Sequence, residues 1–349
     1  MGVEYDADEG QPMPEDLVSR LSRVGDHEGG GGGGGGGVAL PFSPFGRGYR
    51  GIRRALLRPP HHPGVMRAYV KRAKTLTTPR YDLYLELGGY RLYCMSASKL
   101  NRSLTSYYCI CLESGAISRD SQHYLAKLRS ASMGGCDWVL YDNGLNTKDA
   151  GNDPQLLRRQ LLSVSFERNI MGSAGPSRLQ VVLPLDLSSP VALAGSGGGE
   201  GREGDANSTL CDRWREGRRD GLLSLANKAP EWSDELKTYT LEYNERATLA
   251  SVKNIQLVPE EHEEELLFQM GKVSDERFNL DWRAPLSAVQ AFGIALSVFD
   301  SKLACSPAPP GLRAVMRVGG KVSDTLSRGS RRSQTEGLSG SAPVSVNVD

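Results

Sequence analysis

A histidine set among acids is the first feature of this sequence that suggests chemistry. His262 lies within Pro259–Glu265, a segment with enough carboxylates to resemble a metal site. A metal-binding helix would present a second histidine four residues further on, and none follows His262. We interpret the segment as a solvated acidic loop and predict no metal site.

Nucleophiles and phosphate-binding loops give no stronger indication of catalysis. Cys109 and Cys111 alternate along a predicted strand, which is an ordinary place for buried thiols. The chain has no nucleophile elbow and no P-loop, and no dinucleotide fingerprint follows a strand. The nine glycines Gly29–Gly37 are a low-complexity run. We therefore predict that the protein is not an enzyme and uses no cofactor.

Charge is strongly segregated although the formal net charge is only +1. Residues 1–40 contain eight acids, whereas residues 41–80 contain ten lysines or arginines and no acid. A basic block of this density is a candidate surface for the phosphate groups of lipid or nucleic acid. A solvated, flexible lead-in to a domain is the alternative.

One segment, Ala284–Ala304, requires the rest of the chain to surround it. From Ala284 to Phe299 it is uncharged, and its apolar residues point to every side of a helix. The run is shorter than the roughly 20 apolar residues that span a bilayer, so we predict a helix wrapped by protein. We expect Pro285 in its first turn, and a basic partner from the surrounding rim for Asp300 near its end.

Upstream of this helix the sequence predicts a series of short strands separated by turn signals. The predicted strands are Val65–Lys74, Tyr81–Leu87, Tyr90–Met95, Thr105–Glu113, Tyr124–Leu128, Trp138–Tyr141, Leu161–Glu167, Leu179–Leu183, Leu222–Asn227, Lys237–Tyr243, Ser251–Val258, Leu266–Lys272 and Arg277–Leu280. About a dozen antiparallel strands avoid open edges by closing into a barrel. A barrel this wide cannot be filled by its own side chains. We predict a mostly β fold, a closed twelve-stranded antiparallel barrel around a central buried apolar C-terminal helix.

Composition divides the chain into three regions. Residues 1–46 are acidic and glycine-rich and are predicted to be disordered, and residues 47–305 form the barrel domain. Residues 188–207 are predicted to be a flexible loop insertion, because strands continue on both sides of them. Residues 306–349 are rich in serine, proline and glycine and are predicted to be a disordered tail.

A set of motifs in one order resembles the C-terminal domain of the tubby family, as a divergent member. The matching segments are Lys127–Ser130, Tyr141–Gly144, Asn227–Trp232, Ala250–Asn254, Phe268–Val273, Leu286–Phe292 and Phe299–Cys305. They cover about residues 50–305. The fold of that family is a twelve-stranded barrel around a central apolar helix, which agrees with the pattern of strands.

The resemblance implies binding of phosphatidylinositol 4,5-bisphosphate on a cationic patch. It assigns Arg129, with Lys127 beside it, and the basic stretch between two early strands, represented here by Lys99 and Arg102. The family carries a denser run of basic residues in that stretch, so we expect weaker attraction to an anionic membrane. A structural ion pair is the alternative role for Arg129, and solvated loop charge is the alternative for Lys99 and Arg102.

The resemblance also implies a cytoplasmic protein bound peripherally to the inner leaflet of the plasma membrane or a ciliary membrane. It implies links to membrane cargo proteins or a ciliary transport complex, and release towards the nucleus. Two alternatives stay open. One is a transcription regulator that binds nucleic acid in the cationic groove, the less favoured partner. The other is a scaffold whose lipid site has decayed.

Overall fold

The computed structural model describes residues 48–73, 79–100, 107–115, 117–132, 135–150, 153, 155–166, 179–189, 192, 208–229, 231–234, 238–300, 315–318 and 321–324. Its helices are α1 (Gly48–Leu57), α2 (Thr147–Ala150), α3 (Leu210–Arg215) and α4 (Ala288–Asp300). Its strands are β1 (Met66–Ala73), β2 (Arg80–Leu87), β3 (Tyr90–Leu100), β4 (Tyr107–Cys111), β5 (Tyr124–Ser130), β6 (Asp137–Asp142), β7 (Gln160–Phe166), β8 (Leu179–Pro184), β9 (Leu222–Asn227), β10 (Glu231–Ser233), β11 (Thr238–Glu242), β12 (Ile255–Pro259), β13 (Phe268–Lys272), β14 (Arg277–Trp282), β15 (Val315–Val318) and β16 (Lys321–Asp324).

Twelve of these strands close into one barrel in the order β1-β14-β13-β12-β9-β8-β7-β6-β5-β4-β3-β2. Each neighbouring pair is antiparallel, and β1 completes the ring by pairing with both β2 and β14. Closure leaves none of these strands with an unpaired edge. The predicted mostly β fold with a closed twelve-stranded antiparallel barrel is therefore confirmed.

Twelve of the thirteen predicted strands lie in the barrel wall, and one does not. The segment predicted at Lys237–Tyr243 contains β11, which belongs to a separate four-stranded sheet in the order β10-β11-β15-β16. The sequence pattern also gave no indication of α1 or α3. α1 is short and basic, and its Leu56 is fully buried against the barrel core.

Helix α4 fills the barrel as predicted. Every residue from Ala288 to Val298 is buried, and the helix contacts α1 as well as strands of the barrel wall. Near its middle, a Cβ added at Gly293 would lie 2.9 Å from Cδ2 of Leu140 in β6. At its far end the ring of Phe299 stacks on that of Tyr81 at 4.8 Å between centroids. Apolar burial on this scale is the main source of stability for such a fold.

Polar contacts from the barrel and the preceding loop hold both ends of α4. At its start the Ser287 amide donates to Oε1 of Gln290 (2.9 Å), and Nε2 of Gln290 donates to the Leu161 carbonyl (2.7 Å). At its end Nζ of Lys253 donates to the carbonyls of Val298 (2.9 Å) and Phe299 (3.1 Å). Burial lowers the pKa of Lys253 to about 8. These contacts satisfy backbone and side-chain groups that water cannot reach.

The start of α4 differs from the sequence expectation. The helix begins at Ala288, because Ser287 occupies the capping position and its Oγ accepts the Gln290 amide at 3.3 Å. Pro285 therefore precedes the helix and does not lie in its first turn. No described helix is both long and apolar enough to cross a membrane.

The predicted domain boundaries stay predictions. Residues 1–46 lie outside the described residues, as do most of residues 188–207 and most of residues 306–349. The described parts of the last region are β15, which pairs in parallel with β11, and β16.

We predict that Phe292→Ala will lower the free energy of unfolding by about 3 to 5 kcal/mol, because it removes a fully buried ring from the centre of the barrel. Urea unfolding followed by tryptophan fluorescence measures the effect. Val252→Ala is the control, since that side chain is 60% exposed and its loss should cost less than about 0.5 kcal/mol. Equal losses in the two variants would contradict a core centred on α4.

Candidate anion-binding site

The candidate site lies on the outer face of the barrel across β4, β5 and β6. Residues directly opposite each other in antiparallel strands share a face of the sheet. Lys127 of β5 lies opposite Cys109 and Tyr141, and Arg129 lies opposite Tyr107. The intervening Leu128 is fully buried and belongs to the core. Lys127 and Arg129 therefore point outwards together, as the alternation along a strand requires.

Two aromatic rings support the basic side chains. Nζ of Lys127 lies 4.6 Å from the centroid of the Tyr107 ring, and the guanidinium of Arg158 lies 4.4 Å from that of Tyr141. Cation–π contacts of this kind fix the position of a charge without neutralising it. The two tyrosines therefore hold Lys127 and Arg158 in place on the barrel wall.

Like charges act on one another across this surface. The pKa of Lys127 is lowered to about 8, first by burial and then by repulsion from Arg119, Arg129 and Arg158. Repulsion of this kind disfavours the charged lysine. A bound anion would reverse the effect, because it would favour the protonated side chain.

The loop after β6 determines where Arg158 lies. Oδ1 of Asp142 accepts the amides of Gly144 (3.0 Å) and Arg159 (2.8 Å). A Cβ at Gly144 would come within 2.5 Å of the Arg158 Cα, so only glycine permits this approach of the two backbones. The Tyr141–Gly144 motif therefore positions both the ring of Tyr141 and the Arg158 side chain that stacks on it.

Four cations lie close together at this surface, Arg119, Lys127, Arg129 and Arg158, and we call them the outer cation cluster. Among the described residues none of them forms an ion pair. Elsewhere on the wall the arrangement is different, since Arg246 pairs with Asp281 at 2.7 Å. An unmatched group of cations on a rigid wall is suited to bind an external anion.

Lys99 is separated from this cluster by the barrel wall. It lies opposite Tyr108, a core residue, and thus on the inner face of β3. Its Nζ contacts Oδ1 of Asp300 at 2.8 Å at the end of α4. The expectation that a rim cation would pair with Asp300 is confirmed. The lipid contact of Lys99 stays a prediction. The structure adds that this side chain already has a carboxylate partner, Asp300.

The remaining sequence assignments have mixed outcomes. Lys127 and Arg129 lie together on the outer face, whereas Arg102 lies outside the described residues. Arg119 and Arg158 were not assigned from sequence. Arg158 precedes a predicted strand, and only the fold of the Tyr141–Gly144 loop brings it beside Lys127. No group of three or more potential metal ligands occurs in the described part of the chain.

A closed twelve-stranded antiparallel barrel around one apolar helix defines the structural class of this domain. A comparison with family models identifies the family: the Tub family model matches residues 56–301. The chain belongs to the Tub family, and the resemblance found in the motifs is confirmed.

Comparison with individual relatives also supports membership in the Tub family. The chain is 36% identical over 231 residues to Tubby protein homolog 1 of Caenorhabditis elegans, covering 65% of this chain and 54% of that protein. It is 39% identical over 228 residues to Protein king tubby 2 of Culex quinquefasciatus, covering 65% of this chain and 51% of that protein. It is 36% identical over 228 residues to Tubby-related protein 1 of Mus musculus, covering 65% of this chain and 40% of that protein. The matches thus span about half the length of these relatives or less.

We predict that Lys99→Met will lower the free energy of unfolding by about 1 to 3 kcal/mol, because it leaves the largely buried carboxyl group of Asp300 without its basic partner. The side chains of the pair are only 22% and 15% exposed. Adding Asp300→Asn should recover part of the loss, as urea unfolding of the single and double variants would reveal. Additive losses would contradict a direct pairing.

Proposed function

We propose that the protein binds the headgroup of phosphatidylinositol 4,5-bisphosphate through the outer cation cluster and so attaches peripherally to a membrane. The observation that carries the proposal is that Arg119, Arg129 and Arg158 lie near Lys127, and that none of these four cations has a carboxylate partner among the described residues. Burial and then repulsion from the three arginines lower the pKa of Lys127 to about 8. The proposed role is binding, without catalysis.

The chemistry of the cluster suits a bisphosphate. The planar guanidinium groups of Arg129 and Arg158 can each bind a phosphate through two parallel hydrogen bonds, and Lys127 adds a compact charge near them. The strands and tyrosine rings hold these groups before the ligand arrives, so little conformational entropy is lost on binding. Release of like-charge repulsion adds to the affinity.

Exposed leucines beside the cluster support a membrane as the source of the phosphate. The Leu145 amide donates to the Leu156 carbonyl (2.7 Å), and the Arg158 amide donates to the Leu145 carbonyl (2.8 Å). Residues Leu145 and Leu156 are 42% and 48% exposed. The same backbone contacts thus hold two apolar side chains close to a phosphate-binding cation, and both can enter the interface of a bilayer.

The proposed setting is the cytoplasmic leaflet of the plasma membrane or a ciliary membrane. There the domain would act as an adaptor for membrane cargo or a ciliary transport complex, with release towards the nucleus when the lipid is hydrolysed. Membership in the Tub family supports a tubby-type protein. Nucleic acid is the rival polyanion, and a scaffold without lipid affinity is the other alternative.

We predict that Arg129→Ala combined with Arg158→Ala will weaken binding to vesicles containing phosphatidylinositol 4,5-bisphosphate at least about tenfold, because two charge-assisted contacts are lost. Vesicle co-sedimentation at physiological salt, with charge-matched phosphatidylserine vesicles in parallel, measures this. Arg67→Ala, an exposed arginine of β1, is the control and should bind normally.

Three results would count against the proposed function. Equal binding to both kinds of vesicle would indicate nonspecific attraction. Tighter binding to duplex DNA with no preference among bisphosphate isomers would favour the nucleic-acid alternative. No binding at all would favour the scaffold.

We also predict that Leu145→Ser and Leu156→Ser will each weaken vesicle binding by up to about tenfold, because less apolar surface enters the bilayer. Both variants should bind soluble inositol 1,4,5-trisphosphate as the wild type does, measured by calorimetry. Leu249→Ser is a matched control, since Leu249 is also 42% exposed but lies in the loop before β12. Weaker trisphosphate binding in the leucine variants would contradict a separate membrane contact.

A further inference from the structure

A cleft of about 810 Å³ lies between α1 and the end of the barrel where α4 begins. Arg53, Arg54 and Arg58 line it from the side of α1, and Arg159 lines it from the side of β7. His61 also faces this space. Three of the ten lysines and arginines of the basic block thus line a concave site, which differs from the open wall that carries the outer cation cluster.

The cleft has an excess of positive charge. Its two acids, Asp142 and Asp186, face four arginines. Oδ1 of Asp142 already accepts the amides of Gly144 and Arg159, and the exposed Asp186 accepts hydrogen bonds from Ser188. Among the described residues, none of the four arginines forms an ion pair. The arginines therefore retain donors for a ligand.

One of these donors is buried and has no acceptor in the described part of the chain. Nη2 of Arg53 is inaccessible to solvent and has no hydrogen-bond partner among the described residues. Burial lowers the pKa of Arg53, and the nearby charge of Asp142 opposes that shift. A buried guanidinium donor without an acceptor is costly, and an anion in the cleft would satisfy it.

We propose that this cleft binds a small organic phosphate. Arginine forks match the oxygens of a phosphate group, and the volume is in the range of sites that hold small molecules. Leu57, Leu161 and Leu187 line the same space and offer an apolar surface for the organic part of the ligand. The proposal goes beyond the lipid-headgroup site and does not depend on it.

The consecutive residues Arg158 and Arg159 keep the two sites distinct. Arg158 stacks on Tyr141 on the outer wall, whereas Arg159 lines the cleft. Neighbouring residues of an extended chain point to opposite sides, so Arg158 belongs to the outer wall and Arg159 belongs to the cleft. Variants at Arg53 or Arg159 therefore test the cleft while leaving the outer cation cluster intact.

Calorimetric titration of the full chain tests the proposal with two probes, inorganic phosphate and phenyl phosphate. We expect saturable binding of both, and tighter binding of phenyl phosphate because its ring contacts the leucines. Arg53→Gln and Arg159→Gln should each weaken binding of phenyl phosphate at least about tenfold. Arg67→Gln, an exposed arginine outside the cleft, should bind it as the wild type does. Arg129→Ala, in the outer cation cluster, is titrated in parallel to detect any binding of the probe at that cluster.

Several outcomes would overturn the proposal. These are no saturable binding at millimolar probe, an equal loss in Arg67→Gln, or a loss in Arg129→Ala without one in Arg53→Gln. The last result would place the probe on the outer cation cluster. Circular dichroism checks that each variant folds. If Arg53→Gln does not fold, Arg58→Gln carries the same expectation, and wild-type affinity in that variant together with Arg159→Gln would refute the site.

Discussion

The whole architecture depends on covering one helix that is apolar on every side. Helix α4 is buried from Ala288 to Val298, so each of its faces must contact protein. A two-layer fold covers one face of a helix, whereas a closed barrel covers all of them. The polar ends of the helix add a second requirement, met by Gln290 at one end and Lys253 at the other. The helix therefore requires a closed wall around it, and the wide barrel requires the helix to fill its interior.

Side chains on the inner face of the barrel wall pack against α4. Side chains on the outer face are therefore available to contact a ligand. The alternation of side chains assigns each residue to one of these tasks. Lys99 and Lys127 illustrate this, since Lys99 points inwards and pairs with Asp300 while Lys127 points outwards over Tyr107. Lys99 thus has a structural partner inside the barrel, whereas Lys127 is placed on the outer face, where the proposed ligand would bind.

Much of the fold could be predicted from the sequence, because uncharged and alternating runs report burial directly. The uncharged run ending at Phe299 and the strand pattern together led to a helix inside a barrel. The prediction was less successful for Lys237–Tyr243, since a short strand looks the same in any sheet. Helix α1 was missed because its basic sequence resembles a flexible segment, and only packing of Leu56 on the core reveals its role.

The sequence by itself determined which segments are buried and which residue types could meet a phosphate. Lys127 and Arg129 could be paired from sequence because two residues apart on a strand means one face. Only the tertiary structure could add Arg158, which a loop returns to the same surface, and gather Arg53 and Arg159 around one cleft. The reason is physical: strand periodicity acts over neighbouring residues, whereas a binding site is assembled by contacts between distant parts of the chain.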